Sequence, residues 1–195
     1  MVKVGITGGI GSGKSLVCGI LEKMGVPVYY ADQHARRLMN TRTDLVKGIK
    51  ALLGDQAYRG GDLDRKYVAD RVFNQQDLLK RLNALVHPEV REDFLRWSEK
   101  QKGAPYVVEE AALLLESGGR DDFDFIVLVE APEELRVKRI LMRNSMSEEE
   151  IRNRISNQMS VEDFRDQADV IIVNDEKQML LPQVVLLHEK LLNRS

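Results

Sequence analysis

The chain has 195 residues, 43% hydrophobic and 31% charged, which suits a globular protein with one substantial core and room for an inserted subdomain. Its 29 Lys and Arg against 31 Asp and Glu leave a formal charge of −2, so no global field recruits nucleic acid or a membrane surface. Cys18 stands alone, which excludes an internal disulfide and a cysteine-cluster metal site; with no membrane-length apolar run and no signal peptide visible, cytoplasmic residence is expected.

Val2-Lys3-Val4-Gly5-Ile6-Thr7 is a short apolar, β-branched run that reads as a buried strand. Gly8-Gly9-Ile10-Gly11-Ser12-Gly13-Lys14-Ser15 follows, and then residues 16–24, read as an amphipathic helix with Leu16, Ile20 and Leu21 on one side. Strand, glycine-rich turn and helix are the context in which the pattern G-x-x-x-x-G-K-[ST] carries a mechanism. Glycines let the backbone take positive φ and curl its N–H groups inward around an anion. The positive end of the helix dipole points at the same spot. Gly11, Ser12, Gly13, Lys14, Ser15 and Leu16 are therefore expected to hold a nucleotide, with Lys14 along its β and γ phosphates and the Ser15 hydroxyl on Mg²⁺. Cys18, on the same helix, reads as a small packed thiol.

Gly25-Val26-Pro27-Val28-Tyr29-Tyr30 reads as a second strand, followed by Ala31-Asp32 and a helix over 33–39. Ligands of open α/β sheets bind at the carboxyl ends of strands, which suits Asp32 for the crevice; Asp32 suits the N-cap of the following helix equally well. From 41 to 102 the pattern turns helical, with Leu45, Ile49, Leu52 and Leu53 and then Leu78, Leu79, Leu82 and Leu85 at helical spacing. Gly60-Gly61 marks a turn, and Asp62-Leu63-Asp64 offers a cap to a helix over 65–73. His87-Pro88 is expected to interrupt the long helical stretch before it resumes toward Trp97. Such a block between strands is expected to cap the crevice and receive a second substrate.

Strands resume at Tyr106-Val107-Val108, and a short helix is expected over 111–119, ending at the glycines. Phe125-Ile126-Val127-Leu128-Val129-Glu130 is a strong strand signal, and Pro132-Glu133-Glu134 opens a helix well. Asp169-Val170-Ile171-Ile172-Val173-Asn174 reads as a last strand and 180–192 as a closing helix. Uniformly apolar strands alternating with helices predict an α/β fold with a parallel sheet covered on both faces.

Arg136, Arg139 and Arg143 fall at i, i+3 and i+7, one cationic stripe. Ser147 and Glu150 have the form of a capping box for a further short helix, which carries Arg152 and Arg154. Two arginine-bearing helices joined by a polar turn read as a mobile lid over transferring phosphates, because guanidinium offers a planar fork and never loses its charge. The competing reading is a solvated face paired with Glu133, Glu134 and Glu148. No His-x-x-x-His pair, CxxC or G-x-S-x-G is present, so metal hydrolysis and acyl transfer find no support, and no aromatic-rich basic surface supports RNA binding. A switch GTPase should carry Asp-x-x-Gly and Asn-Lys-x-Asp; neither occurs. A small-molecule kinase is the reading that remains.

Thr7 through Ser15, then Tyr30-Ala31-Asp32 leading to Ala35-Arg36, resemble the start of the dephospho-CoA kinase family. The likeness continues through Leu63-Asp64-Arg65 with Val72-Phe73, Leu82-Asn83-Ala84-Leu85-Val86-His87-Pro88, and Leu113-Leu114-Leu115-Glu116. It ends with Arg139 and Arg143, Arg154 and Gln158, and Ala168-Asp169 with Asn174. The resemblance spans essentially the whole chain. It implies a P-loop kinase-like three-layer fold with a parallel five-stranded sheet, a helical substrate-binding insertion and a short helical lid. The nucleotide-binding core would comprise 1–40, 103–142 and 159–195, the CoA-substrate insertion 41–102 and the lid 143–158.

The activity implied is transfer of the γ-phosphate of ATP, with Mg²⁺, to the ribose 3′-hydroxyl of dephospho-CoA, the last step of coenzyme A biosynthesis, in a monomer or weak homo-oligomer. The alternatives are another P-loop small-molecule kinase and, behind it, a nucleotide-dependent switch protein. By the same resemblance Asp32 accepts or orients the attacking hydroxyl, Lys14 and Arg143 act on the phosphates, and Asn174 joins the nucleotide site. Thr7, Asp32, Arg65, His87, Leu113 and Glu116 face the acceptor. For two of these a plainer role competes: Arg65 could merely pair with Asp62, and His87 could hold a bend through a backbone hydrogen bond, the role favoured for it. The chain departs from the family pattern at Ala112, usually Pro, at Arg136, usually Gln, and at Asn144, where Asp is common.

Overall fold

The computed structural model describes residues 1–72, 75–112, 114–115, 119–143 and 146–194. Strand β1 (Val2–Thr7), helix α1 (Lys14–Lys23) and β2 (Val28–Tyr30) lead into α2 (Ala31–Thr41), α3 (Thr43–Leu53), the short strands β3 (Tyr58–Arg59) and β4 (Asp62–Leu63), α4 (Arg65–Val72) and α5 (Gln76–Glu99). The chain returns through β5 (Tyr106–Glu110), β6 (Phe125–Glu130), α6 (Glu133–Arg143), α7 (Glu148–Ser156), α8 (Val161–Gln167), β7 (Val170–Val173) and α9 (Leu180–Leu192). It divides into two compact units, a sheet unit of Met1–Tyr29 with Gln101–Ser195 and a helical unit of Tyr30–Lys100.

In the sheet unit five strands form a parallel sheet in the order β2-β5-β1-β6-β7. Val4 to Thr7 of β1 and Phe125 to Val129 of β6 are buried without a break. Successive side chains of a strand point to opposite faces, so unbroken burial means both faces are covered, as uniformly apolar runs require. Central β1 lies between β5 and β6, with Val4 opposite both Val108 and Phe125, and its carboxyl end delivers the chain into the glycine-rich loop.

Several local readings change. Helix α1 begins at Lys14 and buries Lys14, Val17, Cys18 and Leu21, while Leu16 is exposed and Ile20 half-buried. That set is an i, i+3, i+4, i+7 face whose first member is a lysine, so counting apolar residues alone put the buried face on the wrong side. Strand β2 is three residues long because Gly25, at φ 86°, still belongs to the turn leaving α1. Helix α8 was not foreseen; Ser160 caps it by accepting the Asp163 N–H. Of the helix expected over 111–119, Leu113, Glu116, Ser117 and Gly118 lie outside the described residues, Ala112, Leu114 and Leu115 are turn, and a 3₁₀ turn follows over Gly119–Asp122.

The helical unit packs α2, α3, α4 and α5 around Leu38, Leu45, Ile49, Leu53, Val68, Val86 and Phe94. Gly60 and Gly61, at φ 62° and 97°, close a two-residue hairpin between β3 and β4, because both central positions of such a turn need positive φ. The Asn40 side chain accepts the Leu63 N–H and the Tyr58 hydroxyl donates to the Met39 carbonyl, tying this hairpin to α2. Asp64 caps α4 as read, accepting the Tyr67 N–H. The interruption at His87-Pro88 does not occur: α5 runs through Pro88 unbroken. Proline there removes one hydrogen bond, while the buried row Leu82, Val86, Val90, Phe94 and Ser98 keeps a four-residue spacing through it, so packing outweighs the local break. No helix among the described residues is long and apolar enough to cross a membrane.

Candidate functional site

The loop between β1 and α1 has one side tied down and one side open. Its Gly8 carbonyl accepts from the Lys14 ammonium at 2.7 Å, and its Gly9 carbonyl from the same group at 3.3 Å and from the Ser12 N–H. The Ile10 carbonyl accepts from Arg136 Nε at 2.9 Å. Arg139 reaches the Gly11 and Ser12 carbonyls at 3.5 and 3.4 Å, and Asn174 Nδ2 donates to the Ser12 carbonyl at 2.8 Å. Gly13 accepts the Leu16 and Val17 amides of α1. By contrast, the amides of Gly11, Gly13 and Ser15 donate to nothing among the described residues. With the carbonyls bonded away and N–H groups left over at a helix start, the loop is an anion nest.

The buried hydroxyls Thr7 Oγ1 and Ser12 Oγ also lack a hydrogen-bond partner among the described residues. An unpartnered buried hydroxyl costs about 1–3 kcal/mol, a cost relieved when a ligand bonds it. Gly13 is required twice over: it adopts φ 102°, and a Cβ there would stand 2.1 Å from Asn174 Nδ2. The fold thus brings together Thr7, Gly11, Ser12, Gly13, Lys14, Ser15 and Asn174, with Ser15 and Leu16 on the exposed side of the first helical turn.

Helix α6 carries the arginine stripe, but its members differ. Arg136 is 7% exposed, Arg139 is half-buried, and Arg143 is exposed in the last turn with no partner among the described residues. Arg139 also donates to the Asn174 carbonyl and side chain and pairs with Glu176 at 3.2 Å. Helix α7 opens with the capping box of Ser147 and Glu150. It packs Ile151 and Ile155 against Val137 and Ile140 of α6 and Ile10 of the loop. Arg152 is held by Glu133, Glu134 and Glu148, so the solvated pairing describes it, and such exposed pairs contribute little. Gln158, just beyond α7, accepts through Oε1 both the Ile10 N–H at 2.8 Å and an Arg136 N–H at 3.2 Å.

In the helical unit Asp32 is exposed in the first turn of α2 and is not its cap, since the cap position is Tyr30. Arg65 is exposed and makes no ion pair with Asp62 among the described residues. His87 is half-buried with no hydrogen-bond partner among them, so the bend-holding role falls with the bend; burial lowers its pKa. Leu113 and Glu116 lie outside the described residues.

Of two buried acids, Glu109 was not singled out. Burial in an apolar setting, with the charge of Asp122 adding to it, pushes the Glu109 carboxyl on β5 up to about 8. Burial raises the Cys18 thiol far above its usual range, so it is inert packing, as read. Arg136, read as part of the arginine stripe, and Gln158, noted in the resemblance, both bond to the loop, a role the sequence did not show because no local pattern signals a bond across 126 or 148 positions.

No group of three or more His, Cys, Asp or Glu among the described residues could hold a metal ion by itself. That donor set suits a magnesium ion carried mainly by phosphate oxygens and water, to which the exposed Ser15 hydroxyl could add one ligand.

A family model for dephospho-CoA kinase matches residues 2–179. The dephospho-CoA kinase of Bacteroides fragilis is 40% identical over 184 residues, covering 94% of this chain and 90% of the relative. Among solved structures, a Thermus thermophilus protein superposes with a TM-score of 0.84 at 35% identity, covering 99% of this chain and 97% of that one. The dephospho-CoA kinase from Campylobacter jejuni does so with 0.68 at 25% identity, covering 96% and 95%.

Proposed function

The chain belongs to the dephospho-CoA kinase family, and from that premise we propose that it transfers the γ-phosphoryl group of ATP to the ribose 3′-hydroxyl of dephospho-CoA, giving CoA and ADP. The observation that carries the reading is the loop whose carbonyls are bonded from Gly8 to Gly13 while the Gly11, Gly13 and Ser15 amides donate to nothing among the described residues. Phosphoryl transfer runs through a loose transition state, so the protein's contribution is in-line positioning and stabilisation of charge on the equatorial oxygens.

Each residue then has a task. The free amides grip the β and γ phosphates, and the Lys14 ammonium, which rests on the Gly8 and Gly9 carbonyls, needs to swing only within the loop to meet them. The Thr7 and Ser12 hydroxyls supply further donors. Leu16 offers an apolar surface at the loop mouth, and Asn174 holds the loop that the nucleotide contacts. Arg143, exposed at the end of α6 and without an ion pair among the described residues, is the guanidinium available to the γ-phosphoryl oxygens, with α7 closing as the lid that keeps water out. The Ser15 hydroxyl is the side chain that would hold a bound Mg²⁺, which would supply neutralisation of phosphate charge.

Asp32 orients the attacking hydroxyl and takes its proton late, which depends above all on alignment. Arg65 and His87 serve the acceptor, Arg65 for its phosphates and His87 as a neutral hydrogen-bonding group. Leu113 and Glu116 are assigned to the acceptor by resemblance alone. Residues 41–102 are assigned to the acceptor and 143–158 to the lid on the same ground.

ADP release with ATP and Mg²⁺, measured with dephospho-CoA beside adenosine, AMP, shikimate and gluconate, tests the reading. Turnover confined to dephospho-CoA is expected; turnover only with another acceptor would keep the kinase and discard the acceptor.

A further inference from the structure

Arg136 is a buried cation that the reaction so far leaves idle. The residue is 7% exposed; Glu133 lies near enough to favour its charge, but no carboxylate forms an ion pair with it among the described residues. Its hydrogen bonds go to neutral acceptors, the Ile10 carbonyl through Nε and Gln158 Oε1 through Nη2. Burying an unneutralised charge is costly, so a site that does so gains when an anion arrives. The guanidinium lies directly on the phosphate loop: a Cβ added to Gly9 would stand 2.2 Å from Nη2 and 2.4 Å from Cζ.

The bond to Ile10 has a direction that matters. The Ile10 carbonyl and the Gly11 N–H belong to one peptide group, and the Gly11 N–H is one of the amides left free. A cation on the carbonyl end polarises that peptide and strengthens its N–H as a donor. Gln158 meanwhile takes the N–H of Ile10 itself, fixing the preceding peptide in the opposite orientation. Two neighbouring peptides are thus set from behind by one arginine and one glutamine.

We propose that Arg136 is a positioning residue of the phosphate loop: seated on Gly9 and bonded to Ile10, it aims the Gly11 N–H at the nucleotide's phosphates and places a fixed positive charge behind them, with Gln158 completing the latch. This rests on a nucleotide occupying the loop as argued above. It also explains Gly9, whose φ is not in the left-handed region and whose lack of a side chain makes room for Arg136.

The test is a double-mutant cycle of Gly9→Ala and Arg136→Ala, with Gln158→Ala beside it, read as ATP affinity by calorimetry, as kcat and KM for ATP, and as melting temperature. Gly9→Ala and Arg136→Ala should each weaken ATP binding by about tenfold, the scale of one charge-assisted hydrogen bond. The double variant should bind no more weakly than Arg136→Ala alone, because the methyl group added at position 9 then has no guanidinium to displace. Gln158→Ala, which leaves the guanidinium in place, should cost a few-fold. Millimolar methylguanidinium should restore affinity to Arg136→Ala, where ammonium at the same ionic strength should not. A residue that merely packs would lower the melting temperature without this rescue.

Wild-type ATP affinity in a folded Arg136→Ala, or an undiminished cost of Gly9→Ala in its absence, would overturn the inference. Because ATP binding is read without an acceptor, a wild-type protein that binds ATP but leaves dephospho-CoA untouched would refute the acceptor alone. One that does not bind ATP would overturn both.

Discussion

Every carbonyl of the phosphate loop from Gly8 to Gly13 accepts a hydrogen bond, whereas in the helical unit the side chains of Asp32, Arg65 and His87 engage nothing among the described residues. The contrast fits what each is proposed to bind. A polyphosphate is the same rigid, charged object at every turnover, so its donors are best fixed in advance, where they need no reorganisation as charge shifts. An acceptor that must enter, align and leave is better met by uncommitted groups such as Asp32 and Arg65, which are exposed and which water can solvate meanwhile. The neighbours of the open residues show that openness is local: Arg37 and His34 are tied to Asp93, and Arg42 to Glu89 and Glu92.

The largest test of this contrast is Lys14→Ala, which removes the ammonium lying on the Gly8 and Gly9 carbonyls and should abolish turnover in a coupled ADP assay. Near-normal rates would mean that the braced loop is not where the phosphates sit. Asp32→Asn should lower kcat by roughly a hundredfold while ATP affinity holds, because an uncommitted carboxylate contributes to the reaction and not to the loop. Unchanged turnover in that variant removes Asp32 from the chemistry. Phe94→Ala, in the core of the helical unit, should destabilise the protein by about 3–5 kcal/mol in urea unfolding. A loss below about 1 kcal/mol would show that this core is loosely packed.

Glu109 gives a smaller, pH-dependent test within the sheet unit. Its folded pKa, about 8, lies above that of an ordinary carboxyl, so the folded state binds more protons between roughly pH 4.5 and 8. Stability should therefore fall as pH rises through that window and level off above it. Glu109→Gln should flatten that part of the melting-temperature profile; an unaltered slope would mean that Glu109 ionises freely. Least of all, Arg152→Ala should leave the urea unfolding midpoint essentially unchanged, since all three of its carboxylate partners are exposed; a clear drop would show that the pairing matters.

Much of the fold was readable because its signals are local. The apolar run of β6, the glycine-rich loop after β1, the capping box at Ser147 and the closing helix α9 depend on residues adjacent in sequence. The misreadings share a cause. Pro88 and the phase of α1 were judged from local preference, and in each case a buried face running through the element decided otherwise. The arginine stripe looked uniform because helical spacing reports which face a residue shares, not how deep it lies.

Order along the chain determined that a strand ends in a loop able to curl its amides around an anion, because glycine's freedom and a helix start are properties of a few consecutive residues. Tertiary structure alone decided that this loop is held from behind by Arg136, Arg139, Gln158 and Asn174, and that Gly9 and Gly13 make room for two of them. Those bonds join residues more than 120 positions apart, and only packing α6 and the ends of α7 and β7 against the loop brings them within 3.5 Å.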